Sequence, residues 1–200
     1  MHPFVYLASQ SPRRRQLLEQ LGVRYELLLL AGDDEDAEAL EVVLPGEAPV
    51  TYVKRVTGLK LDAALRRLAQ RALPNAPVLC CDTTVVLGRV IYGKPTDAAD
   101  ARRMLRELDD KTHRVLTGVA LGTRQKRESV LSTSHVTFGN LSRADIQAYV
   151  ATGEPMGKAG AYAVQGQAAA FIEKISGSYT GIMGLPLFET ARLLKAFRIL

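Results

Sequence analysis

Hydrophobic and polar positions along this chain follow the periods of strands and of helices. Short apolar runs predict strands. The segment 129–138 alternates strictly between apolar and polar sides, which is typical of a strand with one buried face. Longer segments with apolar residues three and four positions apart predict helices. Strands are predicted at residues 4–7, 25–30, 78–81, 85–87, 90–92, 114–121, 129–138 and 171–175, and helices at residues 12–21, 50–73, 97–108, 143–152 and 187–197.

The order of these elements predicts the fold class. Strands and helices alternate through the 200 residues, and no repeat, linker or low-complexity tract interrupts them. Amphipathic helices and strands must bury their apolar faces against one another, which in an alternating chain places helices on the faces of a sheet. The sequence therefore predicts one α/β domain over residues 1–200, with a mixed twisted sheet, flanking helices and two lobes about a cleft.

The segment 4–18 predicts a strand, a turn and the start of a helix. Ser11 is placed to be the N-cap, and Pro12 suits the first helical position. Residues 13–15 are all arginine, in a first turn where free amide groups already concentrate positive potential. Amide and guanidinium donors that converge in this way predict a phosphate site. The alternative for any one arginine is exposure to solvent or pairing with the acidic stretch 33–36.

A carboxylate is predicted at the end of a buried strand. The apolar run 78–81 is typical of a strand covered on both faces, and Asp82 follows it directly. The next two strands predict a hairpin that brings Lys94 near Asp82, while Lys60 lies on the long second helix. Considered singly, Asp82 could instead cap a turn near Thr84, and either lysine could be solvated.

Together these groups suit metal-assisted hydrolysis of a phosphoanhydride. The cationic donors for a polyphosphate are Arg13, Arg14, Lys60 and Lys94. Asp82, helped by the acidic loop 33–35, could hold Mg²⁺ or Mn²⁺, because such ions take one or two carboxylates and leave other positions to water and phosphate oxygens. A carboxylate can also accept a proton from the attacking water.

Composition and charge narrow the class of protein. Apolar content of 47% and charged content of 24% exclude a disordered chain, and no run approaches the roughly 18 uninterrupted apolar residues of a membrane span. The first residues contain no basic region of a secretory signal, so we expect a cytoplasmic protein. The net charge of +5 is scattered, which argues against stable nucleic-acid binding. Cys80 and Cys81 are adjacent in an apolar run and are predicted to be buried thiols.

Several motifs in order along the chain resemble the Maf family of nucleoside triphosphate pyrophosphatases. They are Leu7-Ala8-Ser9-x-Ser11-Pro12-Arg13-Arg14, Asp82-Thr83, Lys94-Pro95, Thr112-His113, Lys158-Ala159-Gly160-Ala161-Tyr162 with Gln165-Gly166, and Gly184-Leu185-Pro186. The resemblance implies a Maf/ITPase-like α/β fold of two lobes around a deep cleft, and a homodimer. It also implies that the protein uses a divalent cation to hydrolyse a nucleoside triphosphate to the monophosphate and pyrophosphate. Such an activity would remove unwanted nucleotides from the nucleotide pool.

Within this family, the segment 159–166 resembles the branch that acts on dTTP and UTP, as opposed to 7-methyl-GTP. The resemblance makes Asp82 the proton acceptor. The residues at positions associated with base specificity are Arg14, Thr83 and Gln165, and the other cleft residues are Ser9, Arg13, Lys60 and Lys94. A glutamine amide suits uracil or thymine, because it can donate to a ring carbonyl and accept from the ring N–H.

The acidic loop and two positions depart from the family pattern. Either Asp34 or Glu35 can take the place of the family's acidic residue, and we assign Asp34, with Asp82, as the metal ligands. Gln10 stands where a small residue is usual, and Cys81 where alanine is common. Two rival functions stay open: the same chemistry on 7-methyl-GTP or another non-standard nucleotide, and a nucleotide-binding regulator of septum formation.

Overall fold

The structure, a computed structural model, describes residues 4–30 and 39–200. Its strands are β1 (Val5–Leu7), β2 (Tyr25–Leu27), β3 (Val78–Leu87), β4 (Val90–Tyr92), β5 (Thr112–Gly122), β6 (Arg127–Phe138) and β7 (Ile172–Ser176). Its α-helices are α1 (Pro12–Gln20), α2 (Pro49–Gln70), α3 (Ala98–Leu108), α4 (Arg143–Ala151), α5 (Tyr179–Met183) and α6 (Leu187–Ala196). Short 3-10 helices lie at Ala39–Glu41, Ala159–Ala161 and Gln167–Phe171.

The strands form one mixed seven-stranded sheet, which confirms the predicted fold class. Its order is β2-β1-β3-β5-β6-β7, and β4 pairs with β3 outside this path. β1 is parallel to both β2 and β3, whereas β4 and β7 run antiparallel to β3 and β6. Parallel neighbours require long crossovers, and here the crossovers contain α1 and α2.

The chain divides into two compact units, in agreement with the two predicted lobes. The first contains residues up to Asp82 together with 117–132 and 184–200, and the second contains 83–116 and 133–183. The boundaries fall inside β3, β5 and β6, so these strands contribute residues to both units. The single domain over residues 1–200 stays a prediction.

Each unit has a hydrophobic core. In the first, α2 buries Leu61, Leu65 and Leu68 against Tyr6 of β1 and Val78 of β3. In the second, the core is formed by α3, α4 and the inner faces of β5 and β6, and includes Met104, Leu105, Leu108, Val136, Phe138 and Tyr149. In the described ranges, no helix is both long enough and apolar enough to span a membrane.

The predictions for the end of the second strand and for the N-cap of the third helix were wrong. The second strand was predicted to be buried over residues 25–30, but β2 ends at Leu27 and its residues are largely exposed. β2 lies at one end of the strand order, so among the described residues one of its sides has no paired strand. The N-cap of α3 is Asp97, not Thr96, because the Asp97 carboxylate accepts from the amide of Asp100 at 2.8 Å.

Other local signals were read correctly. Ser142 and Asp145 form the reciprocal capping box of α4: the Ser142 hydroxyl accepts from the Asp145 amide at 3.1 Å, and the Asp145 carboxylate accepts from the Ser142 amide at 3.0 Å. β6 alternates as predicted, with Ser132, Ser134 and Val136 buried. Cys80 and Cys81 are free and buried.

Candidate active site

The centre of the candidate site is the ammonium group of Lys60, which lies between two carboxylates. Its Nζ donates to Asp82 Oδ1 at 2.6 Å and to Glu41 Oε1 at 2.7 Å. Asp82 is 6% exposed, and a carboxylate at such a depth requires a charged partner or several hydrogen bonds. Lys60 supplies that partner from α2, one element away from the strand that carries Asp82.

Asp82 does not lie at a strand end, contrary to the prediction. β3 continues without interruption from Val78 to Leu87. The residues after Asp82 are Thr83, Thr84 and Val85, which are β-branched and extend a strand readily, and they include neither glycine nor proline. Asp82 is instead the last residue of the first unit, at the point where the strand passes into the second.

Glu41 was missed by sequence reasoning, and side chains of α2 hold its segment in place. Tyr52 Oη donates to the Glu41 carbonyl at 3.0 Å, and Arg55 Nη2 donates to the Val42 carbonyl at 2.8 Å. Arg55 also donates two hydrogen bonds of 2.7 Å to the Glu47 carboxylate. Such a bidentate pair fixes direction as well as distance, so Glu41 approaches Lys60 from a defined position.

Charges around Lys60 are mutually supportive. Burial alone would lower the pKa of the Lys60 ammonium, but the negative charges of Asp82 and Glu41 outweigh burial and raise it. Burial also raises the pKa of Tyr52, and the same two carboxylates raise it further. Lys60 is therefore a cation and Tyr52 a neutral hydrogen-bond donor throughout the neutral pH range.

The segment that leads into α1 leaves β1 beside β3, three residues before Asp82 in β3. Leu7 of β1 is paired with Leu79 of β3 in parallel register, so the residues after Leu7 follow the direction in which β3 reaches Asp82. Ser9 is buried, and its Oγ accepts from the Ser11 amide at 3.2 Å and from Arg14 Nη1 at 3.1 Å. Ser11 occupies the N-cap position as predicted, but in this described segment its side chain makes no capping bond.

The arginines of α1 differ in their surroundings. Arg14 Nε donates to the carbonyl of Gly184 at 2.8 Å, which links the first motif of the chain to the last. Burial, and then the positive charge of Arg14, lower the pKa of Arg13. The first turn of α1, which the structure describes completely, contains no acidic residue. A bound anion would offset both the repulsion between the guanidinium groups and the free-energy cost of removing them from water.

The neighbouring thiols are not candidate nucleophiles. Burial raises the pKa of Cys81 to about 11, and it raises the pKa of Cys80 to about 12. Since the thiolate is the nucleophilic form, both residues are inert at neutral pH. The remaining acid at this position of β3 is Asp82.

The other predicted site residues, Thr83, Lys94 and Gln165, belong to the second unit. Thr83 follows Asp82 in β3, Lys94 is an exposed residue just after β4, and Gln165 is exposed in the turn before the 3-10 helix Gln167–Phe171. Their approach to the residues of the first unit, including the predicted proximity of Lys94 to Asp82, stays a prediction.

The small residues at 157–166 pack closely within the second unit. The amide of Gly160 donates to the carbonyl of Gly93 at 3.0 Å, and a Cβ added at Gly160 would lie 2.8 Å from Val85. Gly160 also has φ +68°, which favours glycine. These small residues thus allow the segment to approach the β3–β4 hairpin, which positions the turn that contains Gln165.

The predicted second acid lies outside the described residues. This holds for Asp34 and for its alternative Glu35. Among the described residues, no group of three or more histidine, cysteine or acidic side chains is arranged to hold a metal ion. The carboxylates of Asp82 and Glu41 both pair with the Lys60 ammonium.

Comparison with known proteins identifies the family. A family model described as Maf-like protein matches residues 4–197. The chain belongs to this Maf-like family. It is 72% identical over 197 residues to the dTTP/UTP pyrophosphatase of Albidiferax ferrireducens, with 98% of each chain covered. It is also 62% identical over 199 residues to the dTTP/UTP pyrophosphatase of Cupriavidus pinatubonensis, with 100% of this chain and 99% of the relative covered.

Among solved structures, the Maf-like chain is similar to the Ham1 protein of Staphylococcus aureus. The TM-score is 0.48 and the sequence identity 14%, with 96% of each chain covered. The family resemblance predicted from the motifs is confirmed by the match over residues 4–197. Glu41 stands in none of those motifs, and only its contact with Lys60 draws attention to it.

Proposed function

We propose that this Maf-like protein is a hydrolase that converts dTTP and UTP to the monophosphate and pyrophosphate, and so removes these nucleotides or modified pyrimidine relatives from the pool. Support comes from the relatives named dTTP/UTP pyrophosphatase, which match along nearly the whole chain. The observation that carries the proposal is the contact between the Lys60 ammonium and the buried Asp82 carboxylate. It combines a phosphate-binding cation with a proton acceptor in one ion pair.

The cationic residues bind the triphosphate in this proposal. Arg13 and Arg14 at the start of α1, together with Lys60 and Lys94, neutralise charge on the phosphate oxygens. Forked guanidinium donors and helix amides suit the non-bridging oxygens of a phosphate. This function explains why arginines occupy a helix start where acidic residues would otherwise be favoured.

Asp82 acts as the general base. It accepts a proton from the water whose oxygen forms a new bond to the α-phosphorus. The bond between that phosphorus and the oxygen bridging to the β-phosphorus breaks, and pyrophosphate leaves with the electron pair. Lys60 compensates the charge of Asp82 in the resting protein and the charge of the phosphates when substrate is bound. The Lys60 ammonium can exchange a carboxylate oxygen for a phosphate oxygen as its acceptor, so it stays paired with an anion before and after substrate binds.

A divalent cation, Mg²⁺ or Mn²⁺, fits the oxygen donors present. Asp82 and Glu41 approach one point closely enough to share a single ammonium, and hard cations take two carboxylates readily when phosphate oxygens complete the coordination. We assign Asp82 and the acidic residue Asp34 as its ligands, with Glu41 the further described candidate. When bound, such an ion neutralises phosphate charge and polarises the reacting phosphorus.

Ser9, Thr83 and Gln165 complete the proposed substrate site. Ser9 orients Arg14 through its hydroxyl. Gln165 reads the base, because its amide can donate to a carbonyl and accept from the imide N–H of uracil or thymine. We further propose that the protein acts as a homodimer in the cytoplasm, which light scattering coupled to size-exclusion chromatography and cell fractionation would test.

The decisive experiment measures pyrophosphate and monophosphate release from each common nucleoside triphosphate and from 7-methyl-GTP, with Mg²⁺ or Mn²⁺. We expect release from dTTP and UTP, and its loss after EDTA treatment. Asp82→Asn should lower kcat by roughly 10²–10⁴-fold, the contribution typical of a general base. Asp62→Asn is the matched control, because Asp62 pairs with Arg127 on the exposed side of α2.

Other outcomes would redirect the proposal. Release from 7-methyl-GTP alone would assign the protein to the other branch of substrates. Full activity in a folded Asp82→Asn protein would refute the role of Asp82. Nucleotide binding without hydrolysis of any nucleotide would favour the regulatory function.

A further inference from the structure

The carboxylate of Glu154 lies directly behind the turn that contains Gln165. Glu154 follows α4, and its Oε2 accepts from the backbone amide of Gln167 at 3.1 Å. Its other oxygen, Oε1, accepts from the hydroxyl of Tyr149 at 3.0 Å. One side chain therefore connects the end of a helix to the residues that follow Gln165.

Gly166 makes this approach possible. A Cβ added at Gly166 would lie 2.2 Å from Glu154 Oε1 and 2.5 Å from its Cδ. The carboxylate thus occupies the space that any side chain at position 166 would need. Gly166 has φ −104°, which every residue type adopts, so the requirement for glycine at this position comes from the carboxylate and not from the backbone.

Glu154 is itself held rigidly. Its amide donates to Thr152 Oγ1 at 3.1 Å, and that hydroxyl donates to the Tyr149 carbonyl at 2.6 Å. Tyr149 is 4% exposed and packs edge-on against Phe171 with 5.2 Å between ring centroids. Glu154 is therefore held by Tyr149, which is buried in the second unit, whereas Gln167, whose amide donates to Glu154, is exposed.

Two backbone hydrogen bonds also support the turn. The Gly166 amide donates to the Ala163 carbonyl at 3.0 Å, and the Gly166 carbonyl accepts from Ala169 at 3.0 Å. These bonds close the turn on itself, but neither ties it to a neighbouring element. Two side chains connect the turn to α4 and the residues just after it: Tyr149 hydrogen-bonds with the backbone of Ala163, and the Glu154 carboxylate accepts from the amide of Gln167.

From these contacts we infer that Glu154 is a positioning residue for base recognition, because it fixes the turn that presents Gln165. The inference rests on the proposed role of Gln165 in reading uracil or thymine. An amide that must donate to one ring atom and accept from another tolerates only small displacements, so its supporting shell controls affinity. Glu154 touches no substrate in this scheme and acts through the backbone of Gly166 and Gln167.

The test compares Glu154→Gln with a control variant, Glu173→Gln. The control makes the same isosteric change and removes the same charge, but at an exposed position. A glutamine at 154 retains one acceptor, and its amide nitrogen faces a second donor. We expect kcat/KM for dTTP and UTP to fall about tenfold, the effect of one lost hydrogen bond to a charged group, chiefly through KM. Binding of dCTP, whose ring lacks the imide N–H, should change less than twofold, and Glu173→Gln should change neither.

Gly166→Ala tests the same contact from the other side. Alanine must push the carboxylate away, so this variant should reproduce the loss of dTTP and UTP selectivity. In the Glu154→Ala background the same substitution meets no carboxylate and should have no further effect. Because residues in contact are also coupled in stability, the non-additivity must appear in the ratio of dTTP to dCTP binding, which a purely structural role would leave unchanged.

Binding constants measured by calorimetry in the Asp82→Asn background separate selectivity from turnover, and a urea unfolding curve accompanies each variant. Equal losses for dTTP and dCTP, or full additivity of the two substitutions, would overturn the positioning role. Gln165→Glu separates the role of Gln165 in base recognition from the role of Glu154 in positioning it. If it leaves the ratio of dTTP to dCTP binding unchanged, Gln165 does not read the base; if it alters that ratio while Glu154→Gln does not, only the inference about Glu154 fails.

Discussion

At the scale of single residues, the candidate site depends on contacts between side chains that are far apart in the sequence. Lys60 contacts Glu41 on one side and Asp82 on the other, and Arg14 contacts Gly184 near the end of the chain. Each contact orients a charged group that would otherwise sample many rotamers. Pre-organisation of this kind reduces the entropy that substrate binding must offset.

Glu41 contributes to the state of Lys60. Substitution Glu41→Gln removes one of the two negative charges that raise the pKa of Lys60, whereas burial continues to lower it. We therefore expect the pKa of Lys60 to fall in the variant, and the affinity for Mn²⁺ to weaken about tenfold if Glu41 also serves the cation. NMR titration of ¹³C-labelled lysine side chains and calorimetry would measure the two effects separately. The same Lys60 pKa in the parent protein and in Glu41→Gln would show that Glu41 does not influence it.

Gly184 supports Arg14 through a backbone conformation that suits glycine. Its φ is +115°, so Gly184→Ala introduces strain of roughly 1–3 kcal/mol and shifts the carbonyl that accepts from Arg14 Nε. We expect kcat/KM for dTTP to fall several-fold and the unfolding midpoint to drop. Gly139→Ala is the matched control, since an added Cβ there meets no atom of the described residues within 4 Å. Equal behaviour of the two variants would contradict a specific role for Gly184.

At the scale of elements, α2 is the part of the first unit that delivers Lys60 to Asp82. It packs on β5 where Gly118 leaves room for Thr57: an added Cβ would lie 2.3 Å from Thr57 Oγ1 and 3.3 Å from the Val53 carbonyl. Thr57 Oγ1 itself donates to the Val53 carbonyl at 2.7 Å. The close contact between helix and strand lies three residues before Lys60 and so determines its height above the sheet.

Gly118→Ala should lift α2 from the sheet. We expect the free energy of unfolding to fall by about 1–3 kcal/mol, as overpacking of a core generally does, and kcat to fall because Lys60 moves relative to Asp82. The double substitution Thr57→Ala with Gly118→Ala should recover part of both losses, although the Val53 carbonyl still crowds the new methyl group. Chemical denaturation and steady-state kinetics on the three variants would test this coupling; a strictly additive double variant would argue against it.

Element ends show how far local signals reach. The capping box of α4 and the Gly88 turn between β3 and β4 were predicted correctly, because each depends on residues that are adjacent in the chain. The uninterrupted course of β3 through Asp82 was not, because the polar residues Asp82, Thr83 and Thr84 resemble a strand end when their neighbours are unknown. The polar stretch can continue as a strand because neighbouring strands bury it and because Lys60 pairs with the Asp82 carboxylate.

At the scale of the whole molecule, His113 makes stability dependent on pH. It is 1% exposed in the core of the second unit, where its Nε2 hydrogen-bonds with Tyr162 Oη at 2.9 Å and its ring meets Phe138 edge-on. Burial lowers the pKa of His113 to about 4, against the weaker opposing effect of the Lys111 backbone. The folded protein therefore holds a neutral imidazole over a range in which the unfolded chain binds a proton.

The sign of the effect follows from this difference. The stability contributed by neutral His113 is complete above the unfolded pKa of about 6.5 and is lost as the pH falls towards about 4. At pH 5 the loss should be about 2 kcal/mol relative to pH 7. Urea unfolding of the parent protein and of His113→Gln at both pH values would isolate this contribution, because other titrating groups affect both proteins. A parent protein no more sensitive to acid than the variant would contradict the prediction.

The amino-acid sequence alone determined the fold class, most helices and strands, and the family, because periodicity, turn residues and ordered motifs are local properties of a chain. It also identified Asp82, Lys60 and the arginines at the start of α1, whose chemistry is unusual for their predicted positions. Only the tertiary structure decided the partners of these groups: Glu41 beside Lys60, Gly184 beside Arg14, and Glu154 behind Gly166. Such contacts join residues far apart in sequence, and they exist because burial forces each desolvated charge or donor to find a partner that no local pattern specifies.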